Sequence, residues 1–284
     1  MIKVDSLTQA EPTTWIQRAR DRVGAVASHL ISAPSPELVM YPSVERYRSE
    51  IRYTLQGWVG ENTPKIIWLL DLVHKELGVT GDIAEIGVHQ GMFLLLLAAV
   101  RSGDEAVIGL DLFDMQHRNV DSSGSGAREV TESAIQRYYP ETADRFSLIS
   151  ADSVMLKPAR LEAYFPRPVR LFSVDGGHTR EHVLNDLAIA QEVVSAGGVV
   201  MLDDFFGPHW PSVTEGFYAY MTGVNRRLAP FLFFENKLYL TTVSDHRAVL
   251  DQFAAVLRAA QNGMIDKDEW KTVTVAGFEV LSRG

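Results

Sequence analysis

Three aspartates are the densest set of chemistry-bearing residues in the 284-residue chain. Asp175 closes one apolar run, and Asp203-Asp204 closes another, 28 and 29 residues later. One crossover helix fits that interval, so the two runs are predicted to be neighbouring strands. Adjacent strands lie about 4.8 Å apart, which brings the carboxylates together at the carboxyl edge of a sheet. Ligands of open α/β sheets bind at that edge. Like charges so close are costly without a cation or protons between them. Hard oxygen donors of this kind suit Mg²⁺, with water and substrate oxygens completing its octahedron. The plainer alternative is a set of helix caps on an acidic rim. For both members of the adjacent pair to face an ion, the turn must rotate one of them.

Two histidines flank the cluster. His178 lies three residues past Asp175, in Asp-Gly-Gly-His, and His209 lies six past Asp203, before Trp210. Either is of the type that takes a proton from a hydroxyl near neutral pH. Alternatively, His178 opens the next helix and His209 is a loop residue stacked on Trp210. His182 is expected on a helix surface.

A second constellation precedes the aspartates. Glu85-Ile86-Gly87-Val88-His89-Gln90-Gly91 runs from a short apolar strand into a helix. Gly87 and Gly91 let the backbone turn tightly and approach a ligand. Asp111 ends the next strand, 20 residues past Gly91. An acid there accepts hydrogen bonds from ribose hydroxyls; the alternative is a turn with a capping aspartate. The G-x-G-x-x-G fingerprint is missing, because His89 stands where its second glycine would, and no Gly-Lys-Ser/Thr P-loop follows. That favours a cofactor without phosphates, such as S-adenosylmethionine, over a dinucleotide. Asp152 follows the third strand, where it either accepts from an adenine amino group or caps the helix that follows.

Composition limits the alternatives. The chain has no cysteine, which excludes disulfides, zinc–thiolate centres, Fe–S clusters and cysteine nucleophiles. A net charge of −9 argues against gripping nucleic acid over a broad surface. With 46% hydrophobic residues, the chain can bury a sizeable core. The N-terminus lacks the pattern of a secretory signal. The longest apolar run, residues 92–100, is far below the about 20 residues of a membrane span. A cytoplasmic protein with no membrane segment is expected.

The elements that must position these residues follow from periodicity. Helices are predicted over residues 12–32, ended by Pro34 and Pro36, and over 63–77, with a polar, aromatic-rich stretch between them. From residue 82, strands at 83–86, 106–110, 146–149, 169–174 and 198–202 alternate with helices at 91–101, 127–138, 180–195 and 211–221. This means right-handed βαβ units and a mostly parallel sheet. Strands at 231–234 and 238–243, joined by a tight turn at Glu235-Asn236-Lys237, must pair antiparallel. A helix near 246–260 and one strand over 272–281 complete the pattern. Three segments are expected: an N-terminal helical cap (1–80), a catalytic domain (81–245) and a C-terminal extension (246–284).

At these residues the chain resembles a class I S-adenosylmethionine-dependent methyltransferase. Glu85-x-Gly-x-x-x-Gly91 resembles that family's first motif, Asp111 its ribose-binding acid and Asp152 its adenine-contacting acid. Asp175 with Asp203-Asp204 is similar to the metal triad of the Mg²⁺-dependent O-methyltransferases, both the catechol-type enzymes and the macrocin-type enzymes that methylate sugar hydroxyls. The resemblance covers about residues 60–243. It implies an α/β, Rossmann-like sheet of seven strands in the order 3-2-1-4-5-7-6, mostly parallel with an antiparallel last strand. It implies S-adenosylmethionine and Mg²⁺ as cofactors, and a homodimer or higher homo-oligomer. The base falls at His178 by one branch and at His209 by the other. Gly60-Glu61-Asn62-Thr63 is placed near the methionine end of the cofactor, with Glu61 as the contact. The implied reaction is methylation of a hydroxyl on a small molecule: a sugar, a phenol or a secondary metabolite. Trp58, Tyr41, Tyr47 and Tyr53 are expected to line one wall of the entrance, and Trp210 and Tyr218 the other. The Asp121–Gly126 loop is expected either to close over the substrate or to be a plain surface connection. The rival readings are a metal-independent N- or O-methyltransferase and a non-catalytic cofactor-binding protein.

Overall fold

Short apolar runs between amphipathic stretches build the sheet. A computed structural model describes residues 38–260 and 270–283. The predicted helix at 12–32 lies outside the described residues. Five strands form the parallel part: β1 (Asp82–Ile86), β2 (Val107–Asp111), β3 (Phe146–Ser150), β4 (Val169–Val174) and β5 (Val194–Leu202). β1 and β4 are buried throughout, as strands covered on both faces must be. β6 (Leu228–Phe234) and β7 (Lys237–Thr242) form the expected antiparallel hairpin, and β7 pairs antiparallel with β5.

The sheet has nine strands rather than the expected seven, in the order 3-2-1-4-5-7-6-9-8. The stretch read as one strand over 272–281 is two, β8 (Lys271–Val275) and β9 (Phe278–Arg283), an antiparallel hairpin turning at Ala276-Gly277. Both turn residues have positive φ, +50° and +87°, which fits a two-residue hairpin turn. β9 pairs parallel with β6 and so covers what would be an open edge.

Among the described residues, seven α-helices flank the sheet: α1 (Pro42–Ser49), α2 (Thr63–Leu77), α3 (Met92–Ala98), α4 (Arg128–Tyr138), α5 (Arg180–Val193), α6 (Pro211–Met221) and α7 (His246–Ala260). α2 starts with Pro64 in its first turn and stops at Gly78, whose left-handed backbone returns its N–H to His74 and Lys75 carbonyls. α1 falls in the aromatic-rich stretch, where Val44 and Tyr47 are its only buried positions. The described residues from Val39 onward belong to one compact unit, which includes the described part of the expected cap. Among the described residues, no helix is long and apolar enough to cross a membrane.

The two faces of the sheet differ. Ala84, Ile86, Phe172, Val174, Val200 and Leu202 meet α5 and α6 in an apolar core. On the other face the register aligns Glu85, Ser173, Met201 and Tyr239 across β1, β4, β5 and β7. Three of these four are polar and all four are buried. Among the described residues, Glu85 Oε2, Ser173 Oγ and Tyr239 OH have no hydrogen-bond partner. Asp175, Asp203 and Lys237 are each two residues from this row, so they continue the same polar face to the carboxyl edge.

Candidate functional site

The β1 loop turns through three left-handed residues, Gly87 (φ +88°), His89 (+52°) and Gly91 (+86°). Gly87 has no room for a side chain: a Cβ there would lie 1.7 Å from the Asp175 carbonyl oxygen. The closeness of that approach ties the glycine loop to the strand end carrying Asp175. Asp111, at the end of β2, holds the loop's shape. Its Oδ2 accepts from the His89 amide (2.8 Å) and its Oδ1 from the Phe113 amide (2.9 Å). Each carboxylate oxygen has two acceptor sites, so both keep one for a ligand. Gly126 packs so tightly on this carboxylate that a Cβ would lie 2.2 Å from Oδ1.

Asp152 caps the turn that follows β3 by accepting from the Val154 amide at 3.3 Å, and its other oxygen pairs with Arg118 at 3.3 Å. Of its two predicted roles, capping is therefore made within the chain. Glu61 is exposed and pairs with Arg52 at 3.1 Å, and it does not line the cavity described below; its neighbours Gly60 and Thr63 do. This segment is held by Glu235, read in the sequence only as a turn residue, which accepts from the Asn62 amide at 2.9 Å and from the Thr63 hydroxyl.

At the edge formed by β4, β5 and β7, the aspartates divide. Asp204 takes a left-handed backbone (φ +55°), the rotation that two adjacent carboxylates require. Atoms of Asp175, His178 and Asp204 lie within 4.8 Å of one another, an arrangement able to hold a metal ion. Asp203 is not in that set. Its Oδ2 pairs with Lys237, and its Oδ1 accepts from the Asp204 amide at 2.9 Å. The structure thus departs from the predicted Asp175–Asp203–Asp204 triad because a buried lysine from the β6–β7 turn engages the middle acid. That lysine was missed, and so was Asn236, which donates to Asp204 Oδ1.

His178 sits inside the cluster. Asp121 Oδ2 accepts from its backbone N–H (2.7 Å) and lies 3.0 Å from ring Nδ1; ring Nε2 faces Asp204 Oδ2 at 3.2 Å. Its ring stacks on Trp210 with centroids 4.3 Å apart. His209 instead is exposed at the rim of the cavity, and the stacking expected between it and Trp210 belongs to His178. His182 is part-buried and closes the N-terminus of α5 through Thr179. The loop after Asp121 is tied down through Asp121 to His178 and through Asn119 to Gly124.

The charges are poorly balanced. Burial and the charge of Asp203 hold Asp175 well above the usual carboxylate range. Burial and Asp175 do the same to Glu85. Burial opposes the charged form of His178, but Asp204, Asp175 and Asp121 outweigh it and raise its pKa to about 9. Burial opposes ionisation of Asp121, yet the His178 and Ser123 amides hold its pKa down to about 2.

One cavity of about 1020 Å³ joins the glycine loop, Asp111 and Asp152 to the aspartate cluster. Small-molecule sites span about 300–1,000 Å³, so this one has room for a cofactor and a second molecule. Trp58, 79% exposed, forms part of its rim and packs on His89. Trp210 lines the cavity as expected, but Tyr53 and Tyr218 do not, Tyr47 is fully buried, and Tyr41 bonds to Asp71 and Lys75 in a distant network.

Residues 84–205 match the family model described as a methyltransferase domain. This match supports methyltransferase activity. The O-methyltransferase NovP shares the methyltransferase's fold, with 17% identity and a TM-score of 0.53 over 65% of this chain and 81% of that one. CalS11, a TDP-rhamnose 3′-O-methyltransferase of calicheamicin biosynthesis, is 16–17% identical; its apo structure aligns with a TM-score of 0.47 over 82% of this methyltransferase and 96% of that chain. Comparison with curated proteins gives no match.

Proposed function

We propose that this methyltransferase methylates a hydroxyl of a small molecule held beside a divalent ion, Mg²⁺ by donor type. The observation that carries this reading is the shared cavity, which puts the Asp175–His178–Asp204 cluster beside the glycine loop and Asp111. When bound, S-adenosylmethionine supplies the electrophilic methyl group. When bound, a divalent ion supplies positive charge that favours an ionised acceptor oxygen.

The rest is done by side chains of this chain. Asp111 accepts from the ribose hydroxyls with its free lone pairs, and Asp152 lies at the adenine end. Gly60, Thr63 and Glu235 border the methionine end. Asp175 and Asp204 would hold the ion. Mg²⁺ commonly takes one or two carboxylates and leaves its other positions to water and substrate. His178 would receive the acceptor's proton at Nε2 as the neutral tautomer that donates Nδ1–H to Asp121. Without an ion its pKa of about 9 keeps the ring protonated near neutral pH, and the ring would release that proton once a dication on Asp175 and Asp204 offsets their charge. Stacking on Trp210 and the two bonds to Asp121 fix the ring, so the proton moves without a search for geometry. His209, at the exposed rim, is better placed to meet the substrate than to take its proton.

A second reading drops the ion. It is favoured by Lys237 and His178, which already compensate part of the acidic charge. Calorimetry and methyl transfer separate the readings. S-adenosylmethionine should bind, and Asp111→Ala should weaken it about tenfold or more, as expected for a lost pair of charge-assisted hydrogen bonds. Transfer of labelled methyl to a panel of sugar and phenol hydroxyls should stop with EDTA and return with Mg²⁺. Undiminished transfer in EDTA would select the metal-free reading. Absence of S-adenosylmethionine binding would remove both.

A further inference from the structure

The turn between β6 and β7 reaches three parts of the cavity with three consecutive residues. Glu235 holds the Asn62–Thr63 start of α2, Asn236 holds Asp204, and Lys237 holds Asp203. Lys237 is set by register. β5 and β7 pair antiparallel with Leu202 opposite Leu238, so the next pair outward is Asp203 opposite Lys237. Both side chains point to the polar face of the sheet. The lysine is 3% exposed, and its ammonium also lies 4.4 Å from the centre of the Phe93 ring. It cannot leave for solvent without uncovering Asp203.

We propose that Lys237 is a built-in counter-cation that removes Asp203 from the ion-binding set, leaving Asp175 and Asp204 as the carboxylates that take the ion. This rests on the divalent-ion reading given above. Each Asp203 oxygen has one partner, Lys237 on one and the Asp204 amide on the other, and what sets it apart from Asp175 and Asp204 is the ammonium held against it. A dication on Asp203 would sit beside a fixed ammonium, and like charges in a buried setting repel strongly. Asp204 is presented differently: its rotated backbone and the Asn236 amide aim it toward His178 and Asp175. Lys237 is thus a positioning residue. It holds the middle acid in place while a two-carboxylate site stays open to water and substrate oxygens.

The test reads ion binding rather than turnover, with Mn²⁺ as the probe, followed by calorimetry and by the electron paramagnetic resonance of the free ion. The double variant Asp203→Asn with Lys237→Met removes the pair without leaving a buried charge. It should bind Mn²⁺ within about threefold of the unaltered protein. Asp175→Asn and Asp204→Asn should each weaken binding by more than the about 10–100-fold that loss of an outer partner costs. Lys237→Met alone frees a carboxylate and removes a cation, so binding should tighten by about tenfold. If the folded double variant loses Mn²⁺ as fully as Asp204→Asn does, Asp203 is a ligand and the inference is overturned. If the unaltered protein binds no Mn²⁺, the divalent-ion reading falls and takes the inference with it. Should the double variant not fold, a Mn²⁺-soaked crystal of the unaltered protein decides. Density linking the ion to Asp175 and Asp204, with Lys237 still on Asp203, supports the proposal; a Mn–Asp203 bond overturns it.

Discussion

The two ends of β4 carry the same kinds of side chain and use them in opposite ways. At the amino end, Arg170 is buried and closes a network: Asp71 at 3.1 Å, Glu105 at 2.6 Å, the Val100 carbonyl at 2.9 Å and His74 Nδ1 at 3.4 Å. Lys75 and Tyr41 complete Asp71 at 2.9 and 2.8 Å. Burial and Arg170 push the His74 pKa down to about 3, so that histidine stays neutral. At the carboxyl end, the cations set among Glu85, Asp175, Asp203, Asp204 and Asp121 are, among the described residues, Lys237 and His178, and Glu85 Oε2 has no partner there. Charge that closes on itself fastens α1, α2 and β4 together. Charge left open is capacity for a ligand. Residue type does not separate the two ends; completeness of charge pairing does, for the unpartnered atom at the closed end, His74 Nε2, sits on a neutral ring.

The sharpest way to break this contrast is to open the closed end. Arg170→Met should cost about 3–5 kcal/mol in urea denaturation, because it leaves buried acids without their cation. Replacing the set together (Arg170→Met, Asp71→Asn, Glu105→Gln) should recover much of that loss, since neutral packing often matches a buried ion pair. If the single and triple variants are equally unstable, the network is packing rather than charge.

A smaller effect comes from Asp186, in α5 beneath the open end. Its Oδ2 lacks a partner among the described residues, and burial raises its pKa to about 7, with Ser153 and Asn185 only partly opposing. A raised folded pKa means that its contribution is fully present below the ordinary value near 3.8 and is lost as pH rises through about 7. Stability should therefore fall by about 2 kcal/mol between pH 5 and 7 from this group alone. Asp186→Asn should flatten that slope in thermal melts across the same range; an unchanged slope would assign the pH dependence elsewhere.

Legibility in the sequence followed the same line between local and distant. The strands β1 to β7 could be read, because each is a short apolar run ended by a turn signal; their order in the sheet came only with the resemblance. The glycine loop, Asp111 and the Asp175 to Asp203-Asp204 interval could be read from spacing along the chain. Lys237 could not, since its partner lies 34 residues away and only the β5–β7 register joins them. Glu235 is further still from its partners, at 172 and 173 residues. The signal that would have found Lys237 was present: a charged residue at the first position of an otherwise apolar strand, paired against the strand that ends in the acid pair. α1 was hidden because a helix with two buried positions among charged ones shows no apolar stripe. The β8–β9 turn was read through because Ala-Gly is a weaker turn signal than Asn-Gly.

The smallest effect on stability, and the one of opposite sign, is expected at the open end. Asp175 is half-buried beside Asp203; desolvation and that neighbour both raise its cost when ionised, and His178 lies 3.9 Å from it. Asp175→Asn keeps the shape and removes a charge that the ion-free protein must bear. It should stabilise that protein by about 1 kcal/mol, within the usual gain from relieving a site that function keeps strained. The same change should cut methyl transfer at least about 100-fold, because it removes a proposed ion ligand. Thermal melts with and without Mg²⁺ separate the two terms. The unaltered protein should gain stability on adding the ion, by mass action, and the variant should not. A variant less stable than the unaltered chain in ion-free buffer would mean that Asp175 is held by favourable contacts. The two ends of β4 would then be alike.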